Sequence, residues 1–83
     1  MDETTVFSPI KEQIDTPASI IARVFSALRA KGYDPINQLV GYIISGDPTY
    51  ITSYGDARSL IVRMERDELL EEIISYYVKN HNM

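Results

Sequence analysis

The stretch of residues 32–48 constrains the fold more than any other, because it predicts one short apolar helix with a helix-terminating signal on each side. Gly32 can end a preceding helix, and Asp34-Pro35 supplies an N-cap and a residue suited to the first helical position. Ser45-Gly46-Asp47-Pro48 is typical of a helix end followed by a turn. The apolar residues between these signals share one helical face: Ile36, Leu39, Val40, Ile43 and Ile44. Because so short a helix needs neighbours to pack on, we predict that it is the central core helix.

Composition narrows the class of protein. The chain has 83 residues, enough for one small domain, and its net charge of −4 disfavours non-specific binding to nucleic acid or anionic membranes. It contains no cysteine and a single histidine, His81, so we expect no disulfide, no metal site and no cofactor. We find neither a glycine-rich phosphate loop nor a nucleophile–histidine pair, and we predict that the chain is not an enzyme. Without a signal peptide or a membrane-spanning apolar run, we expect it in the cytoplasm.

Helical signals flank the central stretch on both sides. Thr16-Pro17 can open a first helix that ends near Gly32. Residues 56–80 carry two apolar stripes whose centres differ by roughly 150° around a helix, too far apart for one straight helix to bury both on one surface. We therefore predict a break near residues 65–67, with Asp67 starting the last helix. The alternative is one long helix whose two faces are covered by different subunits.

These patterns predict an all-α fold: a small compact bundle of about four helices, forming a homodimer because so small a core has no disulfide to support it. We assign residues 16–80 to the helical domain and residues 1–15, where apolar residues are sparse, to a flexible N-terminal tail. Tyr42 lies off the main apolar face and is predicted to reach a partner chain, whereas Gly41 is predicted to allow close approach of another helix. The predicted core contains Ile20, Val24, Leu28, Leu39, Val40, Ile43, Ile61, Leu70 and Ile74.

Two groups of polar side chains are candidates for a function. Arg58, Arg63 and Arg66 form a compact basic group, which can bind an anion or a carboxylate of a partner protein through guanidinium forks. The alternative, favoured on residue type alone, is charge balance on the surface. Thr4 and Thr5 form either part of a frayed terminus or an acceptor site for a protein kinase.

Three segments carry a resemblance to a known family: KGYDPINQLVGYIISGDPTYI at residues 31–51, DARSLI at residues 56–61 and ERDELLEEII at residues 65–74. In these segments the chain resembles the IreB/ReoM family of small regulatory phosphoproteins from low-GC Gram-positive bacteria. The resemblance implies a helical homodimer without enzymatic activity. It also implies phosphorylation of a threonine in the tail by a membrane Ser/Thr kinase that senses the cell wall, with a phosphatase reversing the reaction.

The resemblance implies a role in regulating peptidoglycan synthesis, in part through Clp-dependent proteolysis of a precursor enzyme and contacts with an unidentified partner protein. The tail pattern D-x-T-x-x-F selects Thr4 as acceptor, with Phe7 as the aromatic residue, and another register selects Thr5. The phosphate can dock on the arginine group or alter a partner contact. The family tends to have an arginine where this chain has Val62, and this gap in the basic stripe favours the partner contact.

Short helices joined by tight turns leave one alternative function, a DNA-binding helix-turn-helix transcriptional regulator. Net acidity and the lack of a basic recognition helix oppose it, since contacts to DNA phosphates need Lys or Arg. Sequence-specific retention of DNA in a gel shift at low salt would favour this alternative.

Overall fold

The computed structural model describes residues 15–83, and no strand occurs in this range. Its elements are α1 (Pro17–Ala30), α2 (Pro35–Ser45), two short 3-10 turns (Pro48–Tyr50 and Tyr54–Asp56), α3 (Ala57–Ile61) and α4 (Arg66–Asn80). The predicted all-α class with four helices is therefore confirmed. Thr4, Thr5 and all but the last residue of the predicted tail lie outside the described residues.

The helix ends follow the predicted capping chemistry. The Thr16 hydroxyl accepts a hydrogen bond from the Ser19 backbone N–H at 3.1 Å, and Pro17 occupies the first helical position of α1. At the start of α2, the Asp34 carboxylate accepts from the N–H groups of Ile36 and Asn37. Gly46 ends α2 with φ +75°, a left-handed conformation that favours glycine.

The predicted break in the C-terminal region is confirmed. The last residue of α3 is Ile61, and α4 begins at Arg66 after the extended N-cap residue Glu65. The Glu68 carboxylate accepts a hydrogen bond from the Glu65 N–H at 3.0 Å, which satisfies a backbone donor at the start of α4. The alternative of one long helix is wrong, and Glu65 rather than Asp67 is the N-cap.

The central helix is α1 rather than α2, which corrects the prediction. α1 contacts α2, α3 and α4, and the side chains of Ile20, Val24 and Leu28 are fully buried. The loop residue Ile51 and the first buried residue of α4, Leu69, complete the core around it. The core consists of Ile20, Val24, Ala27, Leu28, Leu39, Tyr42, Ile51, Ala57, Leu60, Ile61 and Leu69, with Ile43 partly buried against it.

Three residues predicted in the core are exposed instead: Val40 at 48%, Leu70 at 43% and Ile74 at 53%. Tyr42, predicted to reach a partner chain, is only 5% exposed and belongs to the core. On α2 the buried face is centred between Leu39 and Tyr42, roughly 100° around the helix from the centre of the apolar stripe. This rotation brings Tyr42 inward and leaves Val40 outside.

Gly41 allows a close approach, although not by a helix as predicted. A Cβ atom at this position would lie within 3.0 Å of the Tyr50 ring, which belongs to the first 3-10 turn. The Gln38 side-chain amide donates to the Tyr50 backbone carbonyl at 2.9 Å and holds the same turn against α2. The absent side chain therefore provides the space for Tyr50. Within residues 15–83, no helix has the length and apolarity needed to cross a bilayer.

Candidate interaction surfaces

The three arginines predicted as a partner-binding group make separate contacts within the chain. Arg58 is partly buried and donates from Nε to the backbone carbonyl of Ile51 at 2.8 Å, which fixes the loop before α3. Arg66 donates from Nη1 to the backbone carbonyl of Ile43 at 2.9 Å, in the last turn of α2. Both side chains therefore support the fold, and their role in partner binding stays a prediction.

Arg66 joins the end of α2 to the start of α4. The last carbonyls of a helix lack partners within the helix, and the Arg66 guanidinium satisfies one of them. Its positive charge also lies at the negative end of the α2 dipole. The guanidinium packs beside Gly46, where a Cβ atom would lie 2.9 Å from Arg66 Cζ.

Arg63 takes part in a different arrangement, a clamp in which two arginines hold Asp15. The Asp15 Oδ1 atom lies 3.3 Å from Nη1 of Arg23 on α1, and its Oδ2 atom accepts from Nη1 of Arg63 in the link between α3 and α4. Asp15 immediately precedes the N-cap of α1, so this Asp15 clamp lies where the N-terminal segment meets the folded body. Sequence reasoning missed Asp15 and Arg23, because sequence separations of 8 and 48 residues carry no local signal.

The loop after α2 contains a carboxylate with a perturbed pKa. The Thr49 hydroxyl donates to Asp47 Oδ1 at 2.7 Å, and the Thr49 backbone N–H donates to the same oxygen at 3.0 Å. These two donors, with a smaller effect of the positive charge of Arg58, hold the pKa of Asp47 below its ordinary value of 3.8. The negative charge therefore stabilises the turn at the end of α2.

Two exposed apolar ridges lie on α2 and α4. The α2 ridge consists of Ile36, Val40 and Ile44, and the α4 ridge consists of Leu70, Ile74 and Tyr77. Within each ridge the residues recur at spacings of three or four and so share one helical face. Exposed apolar residues that line up in this way, unlike single scattered ones, are typical of protein–protein interaction surfaces.

A groove between α1 and α4 provides a third apolar surface. The groove is open to solvent and has a volume of about 470 Å³. Its walls are formed by Ala18, Ile21, Ala22, Phe25 and Ser26 on α1 and by Glu72, Ile73 and Tyr76 on α4. Among residues 15–83, no group of three or more acidic or histidine side chains is arranged to hold a metal ion.

Comparison with known proteins identifies the family of this chain. A family model described as IreB regulatory phosphoprotein matches residues 2–79, almost the whole chain. The chain belongs to this IreB family. A UPF0297 protein of Ruminiclostridium cellulolyticum is 54% identical over 82 residues, which cover 99% of this chain and 93% of the relative. A UPF0297 protein of Acetivibrio thermocellus is 54% identical over 78 residues, which cover 94% of this chain and 87% of the relative.

Membership of the IreB family confirms the resemblance recognised in the sequence and supports a regulatory role. No observation favours the DNA-binding alternative. In a helix-turn-helix formed by α1 and α2, α2 would be the recognition helix, and Pro35–Ser45 contains no Lys or Arg to contact phosphates.

Proposed function

We propose that this IreB-family chain is a non-enzymatic regulator in the cytoplasm whose activity is switched by phosphorylation of Thr4, with Thr5 as the second choice of acceptor. The match to a family of regulatory phosphoproteins carries this proposal, because it extends from residue 2 and so includes both threonines. The modifying enzyme in this proposal is a Ser/Thr kinase that senses the cell wall, opposed by a phosphatase. The regulated process is peptidoglycan synthesis, in part through Clp-dependent proteolysis of a precursor enzyme.

Protein–protein contacts are the proposed means of regulation. The α2 and α4 ridges offer apolar contact area on two helices, and the α1–α4 groove offers a third surface. We assign the α4 ridge to a homodimer interface, since a stable dimer buries about 800 Å² on each partner and needs apolar anchors near its centre. This assignment leaves the α2 ridge and the arginine group for the downstream partner.

Incubation with the cognate kinase, followed by mass spectrometry, tests the switch. We expect one phosphate, on Thr4, and loss of the modification in Thr4→Ala. If the kinase instead modifies Thr5, the phosphate is lost in Thr5→Ala. Because we predict that the N-terminal tail lies outside the core, we expect Thr4→Ala to abolish regulation without changing the melting temperature. Labelling confined to residues of α1–α4, or full regulation in the Thr4→Ala/Thr5→Ala double variant, would contradict the proposal.

A comparative pull-down tests the downstream contact. Phosphorylated and unmodified chains are exposed to the same extract, and Val40→Glu serves as a variant that places a charge on the α2 ridge. We expect one partner to distinguish the two phosphorylation states and to be lost from Val40→Glu. Equal capture by both states would contradict regulation through a partner contact.

A further inference from the structure

The Asp15 clamp has the composition of an anion-binding site. Two guanidinium groups from separate parts of the chain converge on one carboxylate, and each binds a different oxygen of Asp15. The side chains of Arg23 and Arg63 are 45% and 59% exposed, so a larger anion can approach them from solvent. The Asp15 side chain is 23% exposed, less than either arginine. We propose that Arg23 and Arg63 dock the phosphorylated threonine of the same chain's N-terminal segment, which displaces Asp15.

A phosphate is a better ligand for the Arg23–Arg63 pair than the Asp15 carboxylate that the pair binds in this structure. Phosphothreonine carries a charge of about −1.5 to −2 and three strong acceptor oxygens, whereas a carboxylate carries one charge and two oxygens. Arginine binds phosphate through two parallel N–H···O bonds, so two arginines can hold three oxygens. An exposed ion pair such as Arg23–Asp15 contributes little to stability in water, so its displacement costs little.

The connection along the chain favours an intramolecular dock. Thr4 lies eleven positions before Asp15 in the sequence, so the phosphate is tethered to the residue that it would replace. A chain of this length spans at most about 36 Å when extended, which allows it to turn back onto the clamp. A short tether raises the local concentration to about the millimolar range, so a weak site is sufficient.

The other described arginines are less suitable because they have different contacts. Arg58 and Arg66 donate to the backbone carbonyls of Ile51 and Ile43, and their displacement would loosen the loop or the end of α2. Arg29 lies over the Phe25 ring at 5.0 Å from its centroid. The Arg23–Arg63 pair therefore favours an intramolecular dock over a partner contact as the way in which the phosphate acts. This inference rests on the proposed phosphorylation.

Chemical synthesis of the full chain with phosphothreonine at position 4 provides the test, because no kinase is then required. Phosphorus NMR follows the titration of the phosphate, whose second pKa is about 6 when unpaired. We expect docking to lower this pKa by about half a unit relative to the same residue in a short peptide, since the arginines favour the dianion. Arg23→Gln and Arg63→Gln should each reduce the shift, and the double variant should remove it. Arg29→Gln, a neighbouring exposed arginine on α1, is the matched control and should leave it unchanged.

Three results would overturn the dock: a phosphate that titrates as in the peptide, a shift that survives in the Arg23→Gln/Arg63→Gln variant, or a shift that vanishes on dilution. The last result would place the phosphate on another molecule. Failure of the dock leaves kinase labelling and regulation intact, so only this inference falls. A synthetic phosphothreonine that docks on a chain no kinase modifies would contradict the proposed function and leave the anion site standing.

Discussion

Helices α1 and α4 have similar lengths, 14 and 15 residues, and both carry apolar residues at helical spacing, but they differ in how the chain covers those residues. Three large apolar residues of α1, Ile20, Val24 and Leu28, are fully buried, because α2, α3 and α4 surround the helix. In α4 only Leu69 is buried, and the α4 ridge remains exposed. Apolar residues at helical spacing therefore mark two different situations. In α1 they form a face that is covered within the chain, whereas in α4 they form a face that another molecule can cover.

The difference has a consequence for local stability. A large apolar side chain that is fully buried contributes about 1.5–3 kcal/mol, and α4 has no such residue beyond Leu69. In a single chain, the C-terminal turns of α4 should therefore open with a lower free energy than α1. A partner that covers the α4 ridge would raise this free energy and order the helix end.

The largest expected effect on the free energy of unfolding comes from replacing one leucine in each of the two helices with alanine. Leu28→Ala leaves a cavity in a fully enclosed site and should reduce the free energy of unfolding by about 3 kcal/mol. Leu70→Ala removes a side chain that is 43% exposed and should cost less than about 1 kcal/mol in the single chain. Urea unfolding at low protein concentration measures both. Equal losses would contradict the distinction between the two helices.

The second prediction tests whether a second copy covers the α4 ridge. Ile74→Glu would place a charge in the proposed dimer interface, where an unpaired buried charge is strongly unfavourable, and should weaken dimerisation at least about tenfold. Ser75→Glu adds the same charge to the adjacent exposed position on another side of α4 and serves as control. Sedimentation across a concentration series measures the dissociation constant. A monomeric wild-type chain at micromolar concentration, or equal weakening by the two variants, would contradict this interface.

Sequence patterns predicted the helix boundaries well because those boundaries depend on neighbouring groups. Thr16-Pro17 and Asp34-Pro35 bring a side-chain acceptor and a preset φ angle to the start of a helix, and Gly46 provides the left-handed end. The break before Arg66 was predictable for a related reason, since two stripes on different faces cannot pack on one surface. These features depend on residues within a few positions of each other.

The interior contacts depended on partners far away in the chain and were predicted less well. Periodicity predicted an apolar face on α2, but the buried face is centred on Leu39 and Tyr42 rather than on that stripe, and the loop residue Ile51 fills part of the core. The Asp15 clamp is a clearer example, because Arg63 lies 48 residues from its acceptor. An apolar stripe indicates that a face needs covering, and only the tertiary structure identifies the helix, loop or second molecule that covers it.

The third prediction concerns the space that Gly41 provides for Tyr50. Alanine has a helix propensity better than glycine by about 1 kcal/mol, but a Cβ atom here would push the Tyr50 ring out of its place on α2. Gly41→Ala should therefore destabilise the wild-type chain by about 1 kcal/mol. In the Tyr50→Ala background the same substitution should stabilise by up to about 1 kcal/mol, because only the propensity remains. Thermal unfolding of the four chains in this cycle measures the change of sign, and additive effects would show that the ring contact has no energetic role.

The smallest effect is expected at Asp47, which lies in the loop after the end of α2. Thr49 and, to a lesser extent, Arg58 favour the carboxylate form, so the pKa of Asp47 is lower in the folded chain than in the unfolded one. Its stabilisation is then fully present above about pH 3.8 and is lost as the pH falls through the lowered folded-state pKa. Asp47→Asn keeps an acceptor oxygen for the Thr49 N–H but cannot titrate.

The melting temperature of the wild-type chain should therefore decrease more steeply than that of Asp47→Asn as the pH falls below 3.8. Above that pH the difference between the two chains should stay constant. Glu71→Gln removes an exposed carboxylate on α4 and controls for the general loss of a negative charge. Thr49→Val keeps the backbone donor and removes the hydroxyl, the larger cause of the pKa shift, so it should remove most of the excess acid sensitivity. Parallel acid profiles of wild type and Asp47→Asn would show that the ionisation of Asp47 does not stabilise the fold.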